Sequence, residues 1–173
     1  MAEQPVPLLT FYQGWGIYQK NLKEMIAPLT TEQLATPAGG QAWTIGMIAQ
    51  HMVANRVWWF QMWMGEGSRD LAPISHWDPQ DVVEQAPLSA AELVAGLEST
   101  WGMISDALAR WTADDLATMF SAPSEMSEEE RQFFPPRPRQ WIIWHVLEHE
   151  IHHGGELSLA LGSLGLPGVY GSM

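Results

Sequence analysis

Apolar side chains recur along this chain every three or four residues, the period of a helix with one face turned to a core. Leu8, Phe11, Tyr12, Trp15, Tyr18, Leu22, Met25 and Ile26 form a first stripe that stops at Pro28, so a helix is expected over Leu8 to Ile26, weakened by Gly14 and Gly16. A second helix is expected from the N-cap Thr44 to Met64, where Gly65 and Gly67 follow. Its inward stripe is Thr44, Ile48, His51, Asn55, Trp58 with Trp59, and Met62. The third helix has the clearest start. Ser89-Ala-Ala-Glu92 is a capping box, and Leu93, Leu97, Trp101, Ile104, Leu108 and Trp111 follow at helical spacing. A fourth helix runs from Arg139, just past the Pro-rich Pro135-Pro136-Arg137-Pro138, to Leu164, and Gly165 and Pro167 end it.

Four such helices with no alternating strand pattern predict an all-α four-helix bundle, with residues 1–173 forming a single domain. The second-to-third and third-to-fourth connections are long. Either they pack as crossovers on the bundle, or they form pocket walls or a lid. A weak internal repeat runs through the chain. Leu29-Thr-Thr-Glu-Gln-Leu34 resembles Trp111-Thr-Ala-Asp-Asp-Leu116, and each is followed by Trp-x7-His, at Trp43 to His51 and Trp141 to His149. The repeat would set His51 and His149 at similar depths on related helices.

Composition narrows the chemistry. The chain has no Cys, so disulfides, thiolate ligands and Cys nucleophiles are excluded, and six His become the leading ligand candidates. Eight Lys and Arg against 20 Asp and Glu give a net charge of −12, which excludes the basic footprint of nucleic-acid binding. The N-terminus Met1-Ala-Glu-Gln-Pro lacks the basic and apolar regions of a secretory signal, and no apolar run is long enough for a membrane span. A cytoplasmic protein acting on a small molecule is expected. Ten Trp imply thick aromatic packing. Trp58, Trp59 and Trp63 are expected in the core or on a homodimer face, and secondarily on a substrate wall.

The densest chemistry is His145-Val-Leu-Glu-His149-Glu-Ile-His-His153. His149 and His153 are four residues apart on one helix face, about 6 Å along the axis, a spacing that suits two imidazoles on one ion. His145 to His153 spans about 12 Å, too far for one ion, so a third ligand should come from another helix. His51, in the middle of its own inward stripe, is the candidate. Residues 149–153 also read as H-E-x-x-H, with Glu150 as a would-be general base. Against a zinc protease, only 20 residues follow His153, no sheet is expected, and Glu156 and Leu159 stand at the Gly and His positions of the longer signature. Glu150 is expected either beside a metal-bound water or on a solvent face. His145 is expected at the pocket mouth or in a packing role, and His152 on a flank.

Thr44-Ile-Gly-Met-Ile-Ala-Gln-His51, then His149-Glu-Ile-His-His153-Gly-Gly-Glu156 and the closing Leu164-Gly-Leu-Pro167, resemble the DinB/YfiT-like family of metal-binding four-helix bundles. The resemblance covers nearly the whole chain and carries the family's metal ligands onto His51, His149 and His153. Where the family often has Arg-Gly-Gln after the last ligand, this chain has Gly154, Gly155 and Glu156, which removes any role of that Arg. The resemblance implies a divalent metal (zinc, nickel or iron) and a low-molecular-weight thiol of the bacillithiol or mycothiol type as cosubstrate for S-transfer or isomerisation. With no Cys in the chain, such a thiol must come from solution. A metal-dependent hydrolase, a non-catalytic metal-stabilised bundle and a dimerising module remain alternatives.

Overall fold

The computed structural model describes residues 5–38, 42–80 and 86–171. The segment Met1 to Gln4, on which the signal-sequence expectation rests in part, lies outside them. In chain order the elements are α1 (Gln13–Ile26), α2 (Thr31–Leu34), α3 (Ile45–Arg56), α4 (Ala90–Arg110), β1 (Met119–Phe120), α5 (Glu128–Arg131), β2 (Arg137–Pro138) and α6 (Arg139–Ser163). Four long helices, α1, α3, α4 and α6, make the all-α bundle that the periodicity predicts. No described helix is long and apolar enough to cross a membrane.

The helix starts follow local chemistry. Thr44 Oγ1 accepts from the Met47 N–H, and Ser89 and Glu92 close the expected capping box on α4. The first predicted helix is split. Leu8–Thr10 is a separate 3₁₀ turn behind Pro7, and α1 starts only at Gln13. The second is longer than its α-helical part. Beyond Arg56 the chain continues as a π-helical stretch, Val57–Trp63. Wider π turns shift side chains around the axis and are found often at functional sites.

The α3 helix is not a one-sided stripe. Every residue from Ile45 to Arg56 except Met47 is buried, because α4, α6 and a 3₁₀ helix at Arg69–Trp77 all pack around it. The 3₁₀ helix lies in the long connection and contains Pro73, and its Leu71, Ile74 and Trp77, three residues apart, pack on the core. Its Trp77 packs so closely on α4 that a Cβ on Gly96 would overlap the indole ring.

The weak repeat has a structural counterpart. Thr30 caps α2 with Gln33, and Thr112 pairs with Asp115 around the 3₁₀ turn Ala113–Asp115. After each, the chain bridges antiparallel just before a histidine-bearing helix, at Pro37 with Thr44 and at β1 with β2. Both histidine-bearing helices are therefore pinned at their N-termini by backbone hydrogen bonds, Ile45 to Thr36 and Arg139 to Thr118.

Candidate metal centre

α3 and α6 pack side by side and bring three histidines to one point. His149 Nε2 lies 2.9 Å from His51 Nε2, and one ring nitrogen from each of His51, His149 and His153 lies within 4.8 Å of the others. Two nitrogens each ~2.1 Å from one ion lie about 3.0–3.4 Å apart at octahedral or tetrahedral angles, so this spacing is near the required one. The three form a group that could hold a metal ion.

The outer partners match that use. Asp78 Oδ2 is 2.8 Å from His51 Nδ1, and Glu156 Oε2 is 2.7 Å from His153 Nδ1. A carboxylate accepting from Nδ1–H leaves Nε2 with its lone pair free for an ion and fixes the ring. His149 Nδ1 is buried with no partner. Its pKa is pushed down to about 2, by burial first and then by the surrounding imidazoles. The His153 pKa is lowered too, chiefly by burial, with Glu156 opposing. His149 and His153 are thus neutral donors at physiological pH, as a metal ligand must be. His152, His153 and Glu156 form a second grouping with metal-ligand spacing. It shares His153 with the first and includes Glu156, the partner of the His153 ring.

Glu150 corrects the sequence reading. It is fully buried and turned away from the histidines, into an ion pair with Arg56 (Nε–Oε1 2.6 Å, Nη2–Oε2 3.0 Å), and accepts from Trp15 Nε1 at 2.8 Å. Arg56 is fully buried as well and donates further to Gln19 Oε1, Thr100 Oγ1 and the Leu97 carbonyl. A carboxylate with both oxygens held this way has no path to a proton on a bound water. It ties α6 to α3 instead. The resemblance to H-E-x-x-H is one of letters, since here both Glu150 oxygens are held by Arg56 and Trp15 inside the bundle.

A cavity of about 790 Å³ opens over the site, lined by His51 and His149. Asn55, Trp58 and Trp59 continue its wall along the α3 side, and His145 stands one turn before His149. His145 is half-buried, stacked on Trp141 with centroids 4.7 Å apart, and burial lowers its pKa. Both long connections are walls of this cavity. The first supplies His76 and Asp78, the second Glu125, Glu130 and Phe134. Sequence reasoning missed Asp78 and His76 because their segment, with Pro73 and Pro79, reads as a connection, and missed Arg56 because a charged residue on a helix is ordinarily solvent-facing. Of the remaining expectations, Trp59 and Trp63 are core, Trp58 is half-buried on the cavity, and His152 is exposed beside Glu156. A second, mostly apolar cavity of about 430 Å³ near Trp43, Met47 and Leu88 has no titratable side chain in its described wall.

The sequence profile of the DinB superfamily matches residues 18–157, a span holding all three converging histidines. The chain belongs to the DinB superfamily. A DinB-like protein from Bacillus cereus ATCC 10987, known from its crystal structure, superposes with a TM-score of 0.67 at 22% identity. That match covers 94% of this chain and 95% of the other, and at this identity it establishes the shared fold. No curated protein matches the chain. Within this DinB chain, the glycine after the last histidine has a local cause. A Cβ on Gly154 would overlap the Tyr18 hydroxyl, which donates to the Glu150 carbonyl at 2.8 Å.

Proposed function

We propose that the chain is a metal-dependent enzyme that transfers a low-molecular-weight thiol onto a small electrophile. The observation that carries the reading is three histidines converging at an open cavity. Three protein ligands leave coordination positions for a reactant, the pattern of a catalytic rather than a structural site. A divalent ion held there would supply Lewis acidity, lowering the pKa of a bound thiol or water.

The chain's own groups do the rest. Asp78 and Glu156 hold His51 and His153 in the tautomer with Nε2 free. The cavity wall of Trp58, Trp59 and Phe134 offers apolar surface for the electrophile and excludes water from it. In the transfer, the thiol gives up its proton to solvent or to a wall base, its sulfur pair forms the new S–C bond, and the leaving group departs with the electrons of the broken bond. His145 lines the cavity and is neutral, so it is the wall residue suited to accept that proton. The absence of Cys favours a thiol supplied from solution over a covalent enzyme nucleophile.

The test is metal analysis of untagged protein followed by a conjugation screen with several cellular thiols and a chromogenic electrophile. Stoichiometric metal and thiol-dependent, chelator-sensitive turnover are expected. Turnover of ester or amide substrates with no thiol present would favour hydrolysis instead. His51→Ala should lose the metal, and a purified His51→Ala protein with stoichiometric metal would refute the ligand set.

A further inference from the structure

The cavity over the histidines has a one-sided charge. Its wall carries three carboxylates, Asp78, Glu125 and Glu130, and no Lys or Arg among the described lining residues. Of two guanidiniums in the region, Arg56 is paired with Glu150, and Arg137, over the face of Trp141 at 4.3 Å, is a cation whose charge reaches the wall residue His145. Glu130 stays ionised because the Ser127 N–H and hydroxyl both donate to it, which holds its pKa below the ordinary range.

A divalent ion held by the histidines would not reverse this sign. Three neutral imidazoles with one divalent ion carry +2, and the Asp78 and Glu156 carboxylates beside them cancel it. A thiolate arriving there makes the centre net negative, and Glu125 and Glu130 add to that on the side where the rest of the molecule must lie. Trp58, Trp59 and Phe134 in the same wall are faces that attract cations and tolerate neutral rings. Asn55 adds a polar group to the same wall. It is 8% exposed, lines the cavity, and its amide nitrogen has no partner.

We propose that this cavity selects its small molecules by charge, admitting cosubstrates whose part remote from the reacting atom is cationic or uncharged and disfavouring those with anionic tails. The inference rests on the reading that a thiol cosubstrate occupies the cavity, and it names that cosubstrate's class.

The test uses cobalt-loaded protein, in which sulfur-to-metal charge transfer reports thiol binding. Cysteamine, mercaptoethanol and mercaptoacetate are similar in size and differ in tail charge. Each is titrated into the wild type and into the double variant Glu125→Gln, Glu130→Gln. Glutamine also serves at the third position of a capping box, so the turn at Ser127 is kept. Intrinsic metal–sulfur preference is common to both proteins, so the change in the ratio of dissociation constants isolates the wall charge. The double variant should narrow the preference for cysteamine over mercaptoacetate by about five- to tenfold at low salt, an effect of the size exposed charges give. Mercaptoethanol, whose thiolate carries a single negative charge, should change by an intermediate amount, and ~0.5 M salt should remove most of the difference. A ratio unchanged within twofold overturns the inference.

A second arm needs no thiol. Benzyltrimethylammonium and benzenesulfonate are compared by saturation-transfer NMR on zinc-loaded protein, and only the ammonium should bind. If no thiol gives charge transfer but the ammonium preference holds, the thiol reading fails and the charge selection stands. If thiols bind and neither arm discriminates by charge, the charge selection fails and the thiol reading stands.

Discussion

Two adjacent residues on α6 have opposite employment. His149 faces the cavity as a neutral donor, while Glu150 points into the bundle as half of a buried ion pair. Removing one partner of such a pair leaves a buried unpaired charge, which costs about 3–5 kcal/mol. Glu150→Gln should therefore lower the unfolding free energy by that order in urea titrations, yet still bind metal in folded protein. Loss of metal without loss of stability would return Glu150 to the site. Asp78→Asn should behave the other way. The fold is kept, because Asp78 lies in a connection, but the His51 ring loses its acceptor, and metal affinity should fall about 10- to 100-fold by competition with a chromophoric chelator. That the three histidines could meet was legible from their placement, as i, i+4 on one helix and in the middle of an apolar stripe on another, and the family resemblance named the same three. The place of Glu150 was not, since a motif gives letters and not the partners, here Arg56 and Trp15, that hold the side chain. Asp78 was not either, because its contact with His51 spans 27 residues through a long connection.

At the scale of elements, the site depends on the register between α3 and α6. Capping fixes where each helix starts, the Arg56–Glu150 pair fixes how they slide, and the close approach at Gly154 fixes how near α6 comes to α1. Gly154→Ala pushes a methyl group against the Tyr18 hydroxyl, and overpacking of this kind typically costs about 1–3 kcal/mol despite the better helix propensity of Ala. A drop in thermal midpoint is expected by calorimetry. Adding Tyr18→Phe, which removes the clashing oxygen, should recover part of it. An unchanged midpoint in Gly154→Ala would mean that α1 can move away freely. The four long helices were readable because period, caps and terminal glycines agree. The π-helical stretch Val57–Trp63 and the 3₁₀ helix Arg69–Trp77 were not, because neither has a period distinct from its neighbours and both are held by packing on other elements.

For the whole molecule, neutral buried histidines make stability depend on pH. His149 has an ordinary pKa of 6.5 in the unfolded chain and about 2 when folded, so the unfolded state binds the extra proton throughout that interval. Stability rises with pH wherever the unfolded chain binds more protons, so its loss on acidification begins near pH 6.5 and continues as the pH falls towards the folded value. Between pH 7 and 5, a histidine shifted this far costs about 2 kcal/mol, and His153, shifted the same way, adds to the slope. The carboxylates work in the same direction only lower on the scale, where Glu92, Asp115 and Glu130, held below their ordinary values chiefly by capping hydrogen bonds, begin to protonate. Urea denaturation of the metal-free protein should therefore show a steady fall from pH 6.5 to 5. His149→Gln should flatten that fall by about half or more, because the group that refuses the proton is gone. Bound metal should steepen it, since each proton taken by a ligand also releases the ion and with it the binding energy that favours the folded state. A metal-free wild type with a flat profile over this range would mean that His149 and His153 stand in water, and the compact donor set beneath the cavity would have to be abandoned.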